Sequence, residues 1–260
     1  MNFQKQYILN HITKGMRLDG RKLDESRKIE IEKNPIENAE GSAKVKMGNT
    51  EVIAGVKIDV GVPFPDTPNE GVLIVNAEFS PLASPDFELG PPREKAVELA
   101  RIVDRGIRES KCLDREELCI MEGEKVWMVF IDIQPLSHDG NLIDASGIAA
   151  ITALLNAKMP KYDKKEEKVI HGEKDKPLPV SDSPVPVTFG MIGGKLLIDP
   201  GLEEENAMDS RLTITTKSNG NVCAMQKGIA GSLPFEAVQE AAELSIKKGK
   251  EIRELIKKNL

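Results

Sequence analysis

Val126-Trp127-Met128-Val129-Phe130-Ile131-Asp132-Ile133, followed closely by Ser137-His138-Asp139-Gly140-Asn141-Leu142-Ile143-Asp144, is an apolar strand running into a turn. The small residues from 145 to 157 have helical character, so the whole reads as strand, turn and helix. That geometry suits an anion, because a helix start presents unpaired backbone N–H groups and the positive end of its dipole. The side chains do not match it. A phosphate cradle needs glycines that let backbone donors approach, a hydroxyl, and a cation beside the helix start. This turn offers Gly140 alone, the carboxylates of Asp139 and Asp144, and Leu142 and Ile143 at its mouth. The expectation is an enzyme-shaped subunit without an active site of its own.

Upstream of this unit, Phe3, Tyr7, Ile8 and Ile12 recur near helical spacing and predict an amphipathic helix that ends at Gly15. Arg17-Leu18-Asp19-Gly20-Arg21 reads as a turn. Strands are expected at 28–36, 43–47, 51–60 and 72–79, with a Gly48-Asn49 turn and Val45, Met47, Val52 and Val56 pointing inward. From 93 to 110 the period becomes helical, with Ala96, Ala100, Val103 and Ile107 on one stripe. Beyond the 143–157 helix, 161–176 is a charged low-complexity link. Hairpins are then expected around Gly193-Gly194 and Asn219-Gly220, and Pro234 opens a long terminal helix. Residues 41–110 and 185–257 share the order hairpin, further strand, helix, which predicts a duplicated β-rich unit with helices packed on the sheets, an α+β fold.

A chain of 260 residues with 40% apolar content can bury a substantial core. No apolar run approaches the roughly 18–20 residues of a membrane span, and the N-terminus lacks a signal-peptide pattern, so a soluble cytoplasmic protein is expected. Cys112, Cys119 and Cys223 lack CxxC spacing and have only His11, His138 and His171 as companions, so neither a disulfide framework nor a zinc site is expected. The net charge of −6 argues against wholesale coating of nucleic acid but leaves room for a local basic patch.

Three places could carry chemistry. Arg101, Arg105 and Arg108 fall along one edge of the 93–110 helix and could grip successive phosphates of a flexible single strand. The competing reading is a salt-bridge ladder with Glu94, Glu98 and Glu109. The carboxylates Asp199, Glu203, Glu204, Glu205 and Asp209 could hold magnesium or supply a general acid, although such a run more commonly forms a solvated loop. His138-Asp139 could be a base and its orienting partner, but adjacent residues at a strand end point to opposite sides, which favours a turn histidine. Nucleophile elbows, dinucleotide loops, P-loops and HExxH helices are absent from the sequence, and aromatics are too scarce for a base-stacking sheet.

Arg17-Leu18-Asp19-Gly20-Arg21, Gly48-Asn49-Thr50-Glu51-Val52, Val103-Asp104-Arg105, Asp139-Gly140-Asn141 and Glu203-Glu204-Glu205 together resemble the RNase PH family of phosphate-dependent 3′ exoribonucleases. Gly90-Pro91-Pro92, Glu98-Leu99-Ala100-Arg101 and Val126-Trp127 are most similar to the non-catalytic RNase-PH-like subunit of the archaeal exosome. The resemblance implies an N-terminal helix at 1–16, a first RNase PH-like half at 17–160, the charged link at 161–176, and a second half with the C-terminal helix at 177–260. Active relatives carry a Gly-Gly-Thr/Ser-Arg-like phosphate loop where this chain has Gly140-Asn141-Leu142-Ile143. They also carry two aspartates whose positions fall, by gapless counting from Asp199, on Glu205 and Arg211, and an arginine neither ligates magnesium nor gives up a proton at neutral pH.

The same resemblance implies a catalytically inactive chain, without metal or cofactor, that supports a catalytic RNase-PH-like exosome subunit. The two would alternate in a hexameric ring, a trimer of heterodimers, under a cap of OB-type RNA-binding subunits, with single-stranded RNA threaded through the centre. Arg101 and Arg105 match arginines that hold RNA beside the partner's active site, and Arg108 extends the row by helical geometry. The alternatives are an active phosphate-dependent 3′ exoribonuclease working through Asp209 and the glutamate cluster, or a purely structural ring spacer.

Overall fold

Two-residue alternation builds the first sheet. The computed structural model describes residues 3–163, 166 and 168–260. After the short helix α1 (Phe3–Ile12), the chain lays down β1 (Ile29–Lys33), β2 (Gly41–Met47), β3 (Thr50–Gly61) and β4 (Val72–Ala77). Val45 and Met47 on β2 and Val52, Ala54, Val56 and Ile58 on β3 are buried, while the residues between them on β3 are more exposed. Helix α2 (Glu94–Ser110) then crosses over, through β5 (Cys119–Met121), to the long β6 (Lys125–Ser137). The order is β1-β2-β3-β6-β4, with β5 also on β6, and only the β4–β6 pairing is parallel.

Helix α3 (Leu142–Asn156) is the centrepiece. Every residue from 142 to 154 is buried, as expected of a helix that is apolar on all sides. It lies against β2 and β3 on one side and the second half of the chain on the other. At Gly147 the approach is so close that an added Cβ would come within 2.4 Å of the Pro186 ring.

Where composition suggested a link at 161–176, the chain instead folds most of a hairpin, β7 (Lys158–Asp163) paired with β8 (Lys168–Pro177). Composition counts charges but not their pairing. Lys161 meets Glu173 across the strands at 3.0 Å, and Tyr162 sets its ring edge-on to Trp127 at 5.8 Å.

The second half contains β9 (Val185–Ile192), β10 (Lys195–Ile198), α4 (Leu202–Ala207), β11 (Ser210–Thr216), β12 (Val222–Gly228) and α5 (Phe235–Asn259). Its sheet is antiparallel throughout, in the order β10-β9-β11-β12. Strand β9 is buried along its whole length, with α3 and α5 both packed against it. Ala241, Ser245, Gly249, Ile252 and Ile256 form the buried stripe of α5. One apolar core runs through both halves, and a smaller cluster holds Ile8 and Ile12 of α1 against Ile192, Leu197, Ala207 and Met208. The architecture is α+β, with each half a sheet carrying helices. Among the described residues no helix is long and apolar enough to cross a membrane.

Candidate functional site

The strand-turn-helix unit opens on a turn whose polar groups are already spoken for. Thr50, at the start of β3, donates from Oγ1 to the Gly140 carbonyl at 2.7 Å and accepts the Asp139 N–H at 3.1 Å. Arg27 donates to the carbonyls of Asp139 and Gly140 at 2.7 and 3.2 Å. Gly140 has φ +85°, and a Cβ there would come within 2.4 Å of the Gly201 backbone, so only glycine lets α4 settle onto the turn. Asn141 caps α3 from the left-handed region, φ 50°, with its side chain accepting the Asp144 N–H. Its own backbone N–H donates to Glu205 Oε1 at 2.8 Å. Leu142 and Ile143, expected at the mouth of the turn, belong to the core at 7% and 6% exposure.

The acidic stretch is not a solvated loop. Asp199 is buried, and Arg27 grips it with Nη2 to Oδ1 at 2.7 Å and Nε to Oδ2 at 2.9 Å, while Arg21 Nη1 adds a contact at 2.9 Å. Burial alone would raise the Asp199 pKa, but the hydrogen bonds and charge of Arg27, with Asn141, outweigh it and hold the carboxyl below its ordinary value. Glu204 on α4 is buried against Arg17, whose Nε donates at 2.9 Å. Asp209 stays half-exposed beside Lys5 at 3.3 Å. Among the described residues no three His, Cys, Asp or Glu side chains converge to hold a metal ion.

Glu205 and Arg211 share the space between α2, α3 and α4. Burial pushes the Glu205 pKa up, opposed by the Asn141 N–H and by the charges of Arg211, Arg27 and Lys95. Arg211, on β11, forms an ion pair with Glu98 of α2, and its buried Nε has no hydrogen-bond partner among the described residues. His138 stacks on Phe87, with ring centroids 5.3 Å apart and an interplanar angle of 18°. Burial, then Lys95, lowers its pKa, so the ring is neutral at pH 7. Asp139 turns elsewhere, accepting from Asn49 Nδ2 at 3.1 Å. The two are not a base and its orienting partner.

The arginine row divides. Arg101 is exposed and has no ion pair among the described residues. Arg105, also exposed, makes a single 3.3 Å hydrogen bond to Gln226 of β12. Arg108 is half-buried and held by Asp104, at 2.7 and 3.1 Å, and by the Leu73 carbonyl at 3.1 Å. Among the described residues the glutamate ladder does not form at the first two, and Glu98 pairs with Arg211 instead.

Residues missed at the sequence level are Arg17, Arg21 and Arg27 as partners of the acidic stretch, and Glu205 as partner of the α3 start. No spacing links them, since Arg17 and Glu204 stand 187 positions apart.

Residues 25–160 match domain 1 of the 3′ exoribonuclease (RNase PH) family, and residues 182–248 match its domain 2. The chain belongs to this family. It is similar to the exosome complex component Rrp42 of Thermococcus onnurineus, with 52% identity over 257 residues covering 98% of this chain and 94% of that protein. The Rrp42 of Archaeoglobus fulgidus is 51% identical over 257 residues, covering 99% and 97%. Among solved structures, the chain resembles a subunit of the Archaeoglobus fulgidus exosome with RNA bound to the active site, at TM-score 0.90, 51% identity and 96% coverage of each chain. An archaeal exosome core matches at TM-score 0.86 and 47% identity, covering 98% of this chain and 96% of that one. Rice Rrp46, at 17% identity and TM-score 0.71, shares the fold.

Proposed function

We propose that the chain is a non-catalytic component of an archaeal exosome core that degrades RNA from the 3′ end by phosphorolysis in the cytoplasm. One observation carries this reading: the α3 start, where a phosphate-dependent nuclease would hold its phosphate, donates its Asn141 N–H to the chain's own Glu205. Arg211, at the position of a would-be catalytic acid, supports it further by bringing a cation that pairs with Glu98. The chain alternates with a catalytic RNase-PH-like partner in a hexameric ring, a trimer of heterodimers. OB-type RNA-binding subunits cap one face.

The positive contribution is a grip on RNA. Arg101 and Arg105 are exposed and free of carboxylate partners among the described residues, and a guanidinium gives bidentate contacts to backbone phosphate oxygens without reading the base. Arg108 completes the row, with Asp104 competing for its charge. Holding the phosphates near the 3′ end lets inorganic phosphate attack in line within the neighbour, and fixing reactants this way lowers a barrier by several kcal/mol.

The test is co-purification with the catalytic homologue and a phosphorolysis assay of each chain and of the pair. The pair should release nucleoside diphosphates and this chain alone should not. Release by the isolated chain with magnesium and phosphate establishes the active-nuclease alternative. Arg101→Glu with Arg105→Glu should slow processive degradation while the ring still assembles, and an unchanged rate and RNA affinity leave only a structural spacer.

A further inference from the structure

We infer that the cavity at the start of α2 is a base-reading subsite, which takes up one adenine or cytosine of an RNA strand in preference to uracil. The inference rests on the proposed grip of Arg101 and Arg105 on the RNA backbone, and it adds a response to sequence that a backbone grip lacks.

The cavity, of about 250 Å3, lies between the loop after β4 and the first turn of α2. Pockets for drug-sized ligands hold roughly 300–1,000 Å3, so this one suits a single small flat group. Gly90-Pro91-Pro92 forms one wall, and two successive prolines keep that wall stiff. The loop is also pinned from within, where the Phe87 N–H donates to the Ser84 carbonyl at 3.1 Å and the His138 N–H to the Ala83 carbonyl at 3.0 Å. The cavity is therefore preformed. Its aromatic wall is Phe79 and Phe87. The Phe87 ring stacks in a series, its centroid 4.5 Å from Phe79 and 5.3 Å from His138. Phe79 is half-buried and ends that series, so a base entering the cavity continues it as one more ring.

The charges choose what enters. Arg93 is taken by Glu88, whereas Glu78, Asp86 and Glu94 line the cavity without an ion pair among the described residues and outnumber Lys95. A surplus of carboxylates turns a phosphate away but accepts hydrogen bonds from the amino group of adenine or cytosine. Uracil carries a carbonyl oxygen where cytosine carries its amino group, and that oxygen faces the carboxylates unfavourably. The position fits the same strand. Glu94, Arg101 and Arg105 stand at i, i+7 and i+11 and share one edge of α2, about 10 Å and then about 6 Å apart along its axis. A strand whose phosphates lie on the arginines thus reaches the cavity with a base, its backbone held by cations and its base by carboxylates.

The test measures, by fluorescence anisotropy, the binding of oligo(A), oligo(C) and oligo(U) of equal length to the chain reconstituted with the catalytic homologue. The chain is native or carries Glu78→Ala with Asp86→Ala. The native complex should bind oligo(A) and oligo(C) about fivefold more tightly than oligo(U), and the double variant should bring that ratio to within about twofold. Only the ratio is read, since removing two negative charges strengthens the binding of every polymer alike. Equal binding of the three polymers by the native complex overturns the inference, as does a preference that survives in the variant. An arginine-bearing peptide that binds the native complex but not the variant, with no polymer preference, gives the cavity to a protein partner and overturns it too. Arg101→Glu with Arg105→Glu should weaken all three polymers and keep the ratio. Polymers insensitive to that pair, with the ratio intact, refute the grip and uphold the cavity.

Discussion

Asp144 is the residue whose chemistry the fold changes most. Complete burial pushes its pKa up to about 7, against the pull of hydrogen bonds from Asn141 and Thr188. The folded state therefore holds this proton where the unfolded chain, titrating near 3.8, has lost it. Its contribution to stability is complete below pH 4 and is lost as pH rises through 7, by roughly 1–1.5 kcal/mol between pH 6 and 8. Asp144→Asn should flatten that slope. Its amide can donate to Thr188 Oγ1, now 2.7 Å from Oδ1, while its oxygen accepts from Thr188 N and Asn141 Nδ2. Urea unfolding of both chains across this pH range checks it. Arg17 and Glu204 pose a different case, with side chains 0% and 5% exposed. Arg17→Met strands a buried carboxylate and should cost about 3–5 kcal/mol in the same assay, most of it recovered by adding Glu204→Leu. Neither effect is readable from the sequence, because burial and partners come from segments far apart in the chain.

Elements with a hydrophobic period are legible in the sequence, and those without one are not. Strands β2 and β3 announce themselves by alternation, and α2 and α5 by a helical stripe. Helix α4 does not, since Leu202-Glu203-Glu204-Glu205 has no apolar stripe and its inward side is Glu204, neutralised by the distant Arg17, beside the single small Ala207. The β7–β8 hairpin is hidden because its many charged residues read as a solvated link, although Lys161 and Glu173 pair across the strands. For α3 the pattern predicts a helix but not its depth. Ile148→Ala, at a fully buried site, should lose about 2–5 kcal/mol, measured as a drop in denaturation midpoint. On the exposed edge of α2 the opposite holds: Arg101→Glu with Arg105→Glu should shift stability by no more than about 0.5 kcal/mol. A larger loss would mean that these side chains serve the fold.

For the molecule as a whole, family membership is readable from scattered motifs, whereas the closed α3 start needs coordinates. The proposed grip on RNA, through a few arginines on a chain of net charge −6, predicts a modest salt dependence. In a complex reconstituted with the catalytic homologue, Arg101→Ala with Arg105→Ala should make the plot of log affinity against log salt shallower by roughly 0.7 for each phosphate no longer gripped. Fluorescence anisotropy over a salt series measures it. The clasp of Arg17, Arg21 and Arg27 on Asp199 and Glu204 reaches from near the chain's beginning to its last quarter, with separations up to 187 residues. During synthesis, Arg17 lacks its buried carboxylate partner, Glu204, until α4 has left the ribosome, and Arg21 and Arg27 lack Asp199 until just before it. A product stopped before α4 cannot close its own seam, so the opening segment of the chain finds its final seat only late in synthesis.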